Sequence, residues 1–258
     1  MKCILKIHML QLGCILFLLF CSVDKRTEKN KIPDDVQKLL VACDEGDIGT
    51  VKDLIEKGVN VNAEGEYSLP LQVAALRGHF EIVKILVASG ADINLKDTEG
   101  FPVLHSSVAG DAHLEILDFL IYNGADIESK NRAGDSILSF AAATSKYDIV
   151  HYLLKKGANV NTTNVTGISP LMGRSFNGDY KVVKLLLDYK ADPNIADYYG
   201  YTALRDAVHE GHFAVVKLLV SRGANINAID KQAISILGWA IKKNQNQIAS
   251  YLKSKGAK

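Results

Sequence analysis

Cysteine is scarce and misplaced for a stapled fold. Of the four, Cys3, Cys14 and Cys21 fall in the first 21 residues, and only Cys43 lies beyond them. Disulfides therefore do not hold the chain together, and with no Cys-x-x-Cys pair a structural zinc site has no thiolates to draw on. Proline is rare, at five residues among 258, and low-complexity stretches are absent, which argues against long disordered linkers. Charge of one sign is also missing. Thirty basic residues face 29 acidic ones, so no whole-molecule field selects nucleic acid or an anionic surface. Neither a P-loop, an HExxH pair nor a Ser–His–Asp pattern occurs, so no enzymatic chemistry, metal or cofactor is expected.

One long uncharged run is present, and it stands apart. Lys2 and Lys6 precede it, Ile7 to Val23 carry no charge, and a polar stretch follows from Asp24. A basic start, an apolar core and a polar exit form the layout of an export signal. At about 17 residues the run is near the lower limit for a membrane span. No Ala-x-Ala-like cleavage site precedes the polar stretch. Leu18-Leu19-Phe20-Cys21-Ser22 resembles a bacterial lipoprotein signal, in which the Cys is lipidated. It departs from that pattern at Phe20, where a small residue is usual. Residues 1–23 are thus a signal peptide or membrane anchor, with lipidation at Cys21 or an uncleaved signal anchor as the two alternatives, and 24–34 a polar linker. The implied location is outside the cytoplasm, membrane-anchored or secreted.

The rest of the chain repeats. Gly58, Gly90, Gly124, Gly157, Lys190, Gly223 and Gly256 recur at spacings of 32 to 34 residues. After these positions come Val59-Asn60-Val61-Asn62, Ala91-Asp92-Ile93-Asn94, Ala125-Asp126-Ile127-Glu128, Ala158-Asn159-Val160-Asn161, Ala191-Asp192-Pro193-Asn194 and Ala224-Asn225-Ile226-Asn227. A leucine opens each first helix (Leu39, Leu71, Leu104, Leu138, Leu171, Leu204, Leu237) and small pairs such as Ala74-Ala75 and Ala141-Ala142 follow, letting helices approach closely. Second helices carry apolar residues at helical spacing, as in Ile149, Val150, Leu153 and Leu154. A period near 33 with this content means stacked units that bury their apolar faces only against neighbours.

Leu69-Pro70-Leu71-Gln72-Val73-Ala74-Ala75, Gly78-His79 and Ile82-Val83-Lys84-Ile85-Leu86 closely resemble the ankyrin repeat, as do Gly200-Tyr201-Thr202-Ala203-Leu204, Gly211-His212 and Val215-Val216-Lys217-Leu218-Leu219. The resemblance implies an all-α repeat solenoid over residues 35–258. Its seven helix-turn-helix units would be joined by β-hairpin loops and capped at both ends. Val36, Leu39 and Leu40 would face inward at one end, and Lys242, Lys243, Gln245, Gln247, Ser250, Lys253 and Lys255 would form a solvated face at the other.

Irregularities gather in repeats three to five: an extra residue within Ala109–His113, Gly173-Arg174-Ser175 where the family has x-Ala-Ala, and Lys190 in a glycine slot. Either they are tolerated drift or they reshape a binding surface. His79, His105, His113 and His212 fall at the family's structural histidine positions. Asn161 and Asn164 match the N-glycosylation pattern, but share one hairpin in which Asn and Thr are common.

The family binds partner proteins through hairpin tips and the exposed face of the first helices. Carried onto this sequence, that surface comprises Phe101, Arg132, Asp135, Ile168, Phe176, Tyr198, Tyr199, Tyr201, His209 and Trp239, with the aromatic residues concentrated in repeats five to seven. The expected protein is a monomeric, non-enzymatic interaction scaffold with a protein partner, no nucleic acid, and membrane contact only through its N-terminal segment. A secreted effector acting on a host or neighbouring-cell protein is the alternative.

Overall fold

The structure, a computed structural model, describes residues 32–66, 68–109 and 113–258. The signal segment with Cys21, the linker up to residue 31 and residues 110–112 of the third repeat lie outside them. Among the described residues there are fourteen helices in seven pairs and no sheet. The first helices of the pairs are α1 (Asp34–Glu45), α3 (Pro70–Arg77), α5 (Val103–Ala109), α7 (Ile137–Ala143), α9 (Pro170–Asn177), α11 (Ala203–Glu210) and α13 (Ile236–Lys242). The second helices are α2 (Ile48–Glu56), α4 (Phe80–Ala88), α6 (Leu114–Tyr122), α8 (Tyr147–Lys155), α10 (Tyr180–Asp188), α12 (Phe213–Ser221) and α14 (Asn246–Ser254). First helices pack on first helices and second on second, so the principal contacts between helices are within a unit or with the next one.

Side chains set the helix starts. Ser136, Ser169, Thr202 and Ser235 each accept from the backbone N–H three residues on, at 3.1 to 3.3 Å. Asp47 and Asp179 do the same for α2 and α10. Pro70 and Pro170 occupy first-turn positions, where a missing N–H has no cost. The leucine column is buried throughout, from 0% exposed at Leu39 and Leu204 to 9% at Leu237. The small pairs behind it are buried too, and Val36, Leu39 and Leu40 face inward at the N-terminal cap. At ~25 cal/mol per Å² of apolar surface removed from water, these interfaces supply the main stabilisation.

The hairpin bases are held by a polar ladder. Asn62, Asn94 and Asn194 each donate Nδ2–H to the carbonyl of a glycine in the next unit and accept the N–H two residues beyond it. Asn161 and Asn227 accept in the same way, and Glu128 takes over this role where the asparagine is missing. The expected hairpins close by single antiparallel bridges: Lys96 with Pro102, Lys130 with Ser136, Ala196 with Thr202, and Ile229 with Ser235. Residues 163–169 form no such bridge but keep the backbone bond that also closes those four hairpins, the Asn164 N–H donating to the Ile168 carbonyl. Asn164 Oδ1 also accepts from Thr166 and Ile168, so this side chain is a turn-former.

Two left-handed positions explain which irregularities the stack tolerates. At the hairpin tips, Gly134 has φ +78° and a Cβ there would sit 2.8 Å from Val165 N, because the next hairpin bonds to Ala133 O at 3.0 Å. At the tip of residues 230–234 no later hairpin bonds among the described residues, and there Ala233 takes the same conformation at φ +58°. Beyond the second helices a Cβ at Gly157 or Gly223 meets nothing, so the slot asks only for a positive φ. Lys190 fills it at φ +67°, with conformational strain but no clash.

Arg174 sits where neighbouring units carry alanine and is 3% exposed. Its guanidinium donates to Ser145 Oγ at 2.7 Å. At other junctions the same position between units is tied by a donor to a first-helix carbonyl: His79 to Asp44 O at 3.1 Å, Lys146 to Val108 O at 2.7 Å and His212 to Phe176 O at 2.9 Å. These donors meet the negative end of each helix. Repeat five has Asp179 in the donor slot, and the Arg174–Ser145 bond joins units four and five instead.

Candidate partner-binding site

The tips of the last three hairpins form one continuous edge. Tyr198 N–H donates to Thr166 O, and Lys231 N–H donates to Tyr199 O, each at 3.0 Å. Within each tip a carboxylate gathers the backbone. Asp197 Oδ1 accepts from Tyr199 and Tyr201, and Asp230 Oδ1 accepts from Gln232 and Ile234. Tyr198 and Tyr199 are thereby fixed outward, 69% and 57% exposed. Lys231 Nζ lies 5.1 Å over the Tyr198 ring.

Beneath that edge sits a packed polar floor. The Arg205 guanidinium lies 3.7 Å from the centroid of Tyr201 and 4.1 Å from that of Trp239. Tyr199 stacks on Tyr201 at 5.7 Å, and Tyr201 meets Trp239 edge-on at 6.2 Å. Trp239 Nε1–H donates to Asp230 Oδ2 at 2.7 Å, and Gln232 donates to Tyr201 OH at 3.0 Å. His209 leans on Trp239 at 5.4 Å and contacts Glu210 at 2.5 Å. Arg205 also pairs with Asp206 at 3.0 Å, both side chains nearly fully buried. Burial pushes the Asp206 carboxyl up to about 7, against the opposing pull of Arg205. Burial likewise lowers His209. For Asp230 burial acts upward, but the hydrogen bonds from Ile234, Trp239 and Gln232 outweigh it and hold the carboxyl below its ordinary value. A desolvated cation between two rings is worth ~2 kcal/mol, so the floor is a rigid support for the tyrosine edge.

The ten residues expected on the surface separate into three groups. Arg132, Tyr198 and Tyr199 are exposed at tips. Phe101, Asp135, Ile168, Phe176 and His209 are half-buried. The Phe101 carbonyl accepts from Gln72, the Asp135 carbonyl accepts from His105, and Ile168 packs on the core, so these three carry structural duties. The expectation that Tyr201 and Trp239 lie at the surface is corrected: they are 8% and 6% exposed, because each ring covers Arg205 and spends its polar atom on a neighbouring hairpin. Arg205 and Asp206 were not on that list. Their signal was a charged pair at positions where other units place Leu40-Val41, Gln72-Val73 or Ser139-Phe140.

The remaining polar chemistry is structural. His79, His105 and His212 each face a carbonyl through Nε2, which must therefore donate. Burial lowers His105 to about 4, so it is neutral in the fold. Among the described residues no cluster of three His, Cys, Asp or Glu could hold a metal, and no helix is long and apolar enough to cross a membrane.

The family model "Ankyrin repeats (3 copies)" matches residues 7–97, 39–131, 71–164, 104–197, 138–230 and 171–258. Alpha-latrotoxin-Lhe1a of Latrodectus hesperus is 37% identical over 91 residues, which cover 33% of this chain and 6% of the toxin. The palmitoyltransferase AKR1 of Eremothecium gossypii is 42% identical over 71 residues, covering 25% of this chain and 10% of that protein. The chain thus spans a tenth or less of these curated relatives. The crystal structure of the ankyrin repeat domain of Bcl-3, described as a unique member of the IkappaB protein family, superposes with a TM-score of 0.73 at 26% identity. That match covers 83% of this chain and 97% of the other.

Proposed function

Because the chain belongs to the ankyrin-repeat family, whose repeats generally mediate protein–protein interaction, we propose that it is a non-enzymatic scaffold holding a partner protein on repeats five to seven. The observation that carries this reading is the pair Tyr198 and Tyr199, exposed apolar rings on a tip edge whose floor is already packed and hydrogen-bonded. A rigid aromatic pair loses little entropy on binding, and such residues dominate protein interfaces. The uncharged run from Ile7 to Val23 supports export, with attachment to a membrane through that segment or through a lipid on Cys21.

The test is affinity capture with the full chain, comparing wild type, Tyr198→Ala/Tyr199→Ala and Glu99→Ala. The tyrosine pair should lose the partner by about thirtyfold in affinity, the scale of a hot spot, while Glu99→Ala keeps it. Equal capture by the tyrosine variant, with its melting temperature intact, would move the site elsewhere. Mass spectrometry of the mature N-terminus decides the attachment: a diacylglyceryl-modified Cys21 supports lipidation, an intact Met1 supports an uncleaved anchor, and a free terminus after residue 21 refutes both.

A further inference from the structure

Charge is balanced over the whole chain but not along the second helices. From each second helix through its following glycine slot, the first three units (48–58, 80–90, 114–124) hold three basic and five acidic residues. The last four (147–157, 180–190, 213–223 and, carried two residues past Gly256, 246–258) hold ten basic residues against Asp148 and Asp188. All ten cations are exposed. They align across units. Lys184 and Lys217 share one register, and Lys156, Arg222 and Lys255 share another, on the faces opposite the buried Val182, Val183 and Leu186. Asp188 is already engaged by Lys184 at 2.6 Å and Arg222 at 2.8 Å, and Lys156 is taken by Asp118. Among the described residues the other seven, all lysines, have no carboxylate partner. Tyr147 and Tyr180 open two of these helices, 42% and 44% exposed, with Lys181 next to Tyr180 in sequence.

We infer that the second-helix face of repeats four to seven is a docking surface for an anionic lipid bilayer. Charge complementarity selects an anionic partner. Its composition favours a membrane over nucleic acid: nine of the ten cations are lysines, hydrated point charges suited to a diffuse field of headgroups, whereas base and phosphate readout favours the planar fork of arginine. Half-exposed tyrosines beside lysines are the residues that settle at the headgroup level. The choice of bilayer also rests on the proposed membrane attachment of the N-terminal segment. The anchor keeps the chain at a bilayer, and a basic patch adds an electrostatic contact of its own with anionic headgroups. The tyrosine edge of the hairpins, on separate elements, is left free for the partner.

The experiment is co-sedimentation of the full chain with phosphatidylcholine vesicles, with and without phosphatidylglycerol, at low and high salt. A four-charge reversal, Lys155→Glu, Lys181→Glu, Lys217→Glu and Lys253→Glu, is compared with a reversal of equal net charge in the first units, Lys38→Glu, Lys52→Glu, Lys57→Glu and Lys84→Glu. Each lysine reaching an anionic surface contributes about fivefold, so wild type should show an anionic-lipid excess that falls with salt and drops by roughly tenfold or more in the first variant only. An excess that survives the first reversal overturns the inference. Equal loss in both variants does so too, since that is a net-charge effect. Lysine-dependent binding to a short RNA duplex without a vesicle excess assigns the face to nucleic acid and also overturns it. Binding to neutral vesicles reports the N-terminal anchor separately, so its failure is distinguishable. If either reversal lowers the melting temperature, the same positions changed to Gln give the answer on an intact fold.

Discussion

Repeats one to three and repeats four to seven share a buried leucine column and an asparagine ladder, yet they face solvent differently. The early tips present Glu66 and Glu99, and the late ones Tyr198 and Tyr199. The early second helices are slightly acidic and the late ones strongly basic. Even the buried polar groups differ. Repeat three encloses one neutral histidine, His105, while repeat six encloses an ion pair, Arg205 with Asp206. In a stack, packing uses only the columns that touch the next unit, so the other positions are free to be specialised by region.

The largest break in that comparison comes from Arg205→Met. It leaves Asp206 buried without its cation and removes the plate between Tyr201 and Trp239, at a cost of ~3–5 kcal/mol. Amide exchange should quicken in repeats six and seven and stay unchanged in one to three, and Arg205→Met/Asp206→Leu should recover most of the loss. Next comes pH, which should push the two halves in opposite directions. His105 is held to about 4, below its ordinary value, so the stability it confers is full above the unfolded pKa near 6.5 and is lost as pH falls toward 4. The stability difference between wild type and His105→Gln should shrink over that window by on the order of 3 kcal/mol. Asp206 is raised to about 7, so its folded form takes up a proton before its unfolded form does. The difference between wild type and Asp206→Asn should therefore grow in favour of wild type as pH falls from 7 toward 4. Denaturant titrations at several pH values measure both. The smallest effect is at the irregular junction: Lys190→Gly relieves a positive φ in open space and should stabilise by ~1 kcal/mol, read as a raised urea midpoint at unchanged slope.

The columns that pack were legible in the sequence because each recurs about every 33 residues: the leucines, the small pairs and the capping serines all fall where the period puts them. The tip residues were legible as positions but not as exposures. Period alone placed Tyr201 and Trp239 on the binding face, and only the guanidinium between them shows why both are buried. The pairing of Arg174 with Ser145 was equally hidden, since it depends on two departures 29 residues apart in neighbouring units. Arg174 already stood out from its column in the sequence, and comparing a second column unit by unit would have added Arg205, because no other unit places Lys or Arg at either position.

The central claim is that partner binding belongs to the late hairpins. Amide hydrogen exchange of the full chain, with and without its captured partner, tests it most directly. Protection gained at 196–210 and 229–243, with 63–77 and 96–109 unchanged, is the predicted footprint. Protection confined to the first three repeats would contradict it.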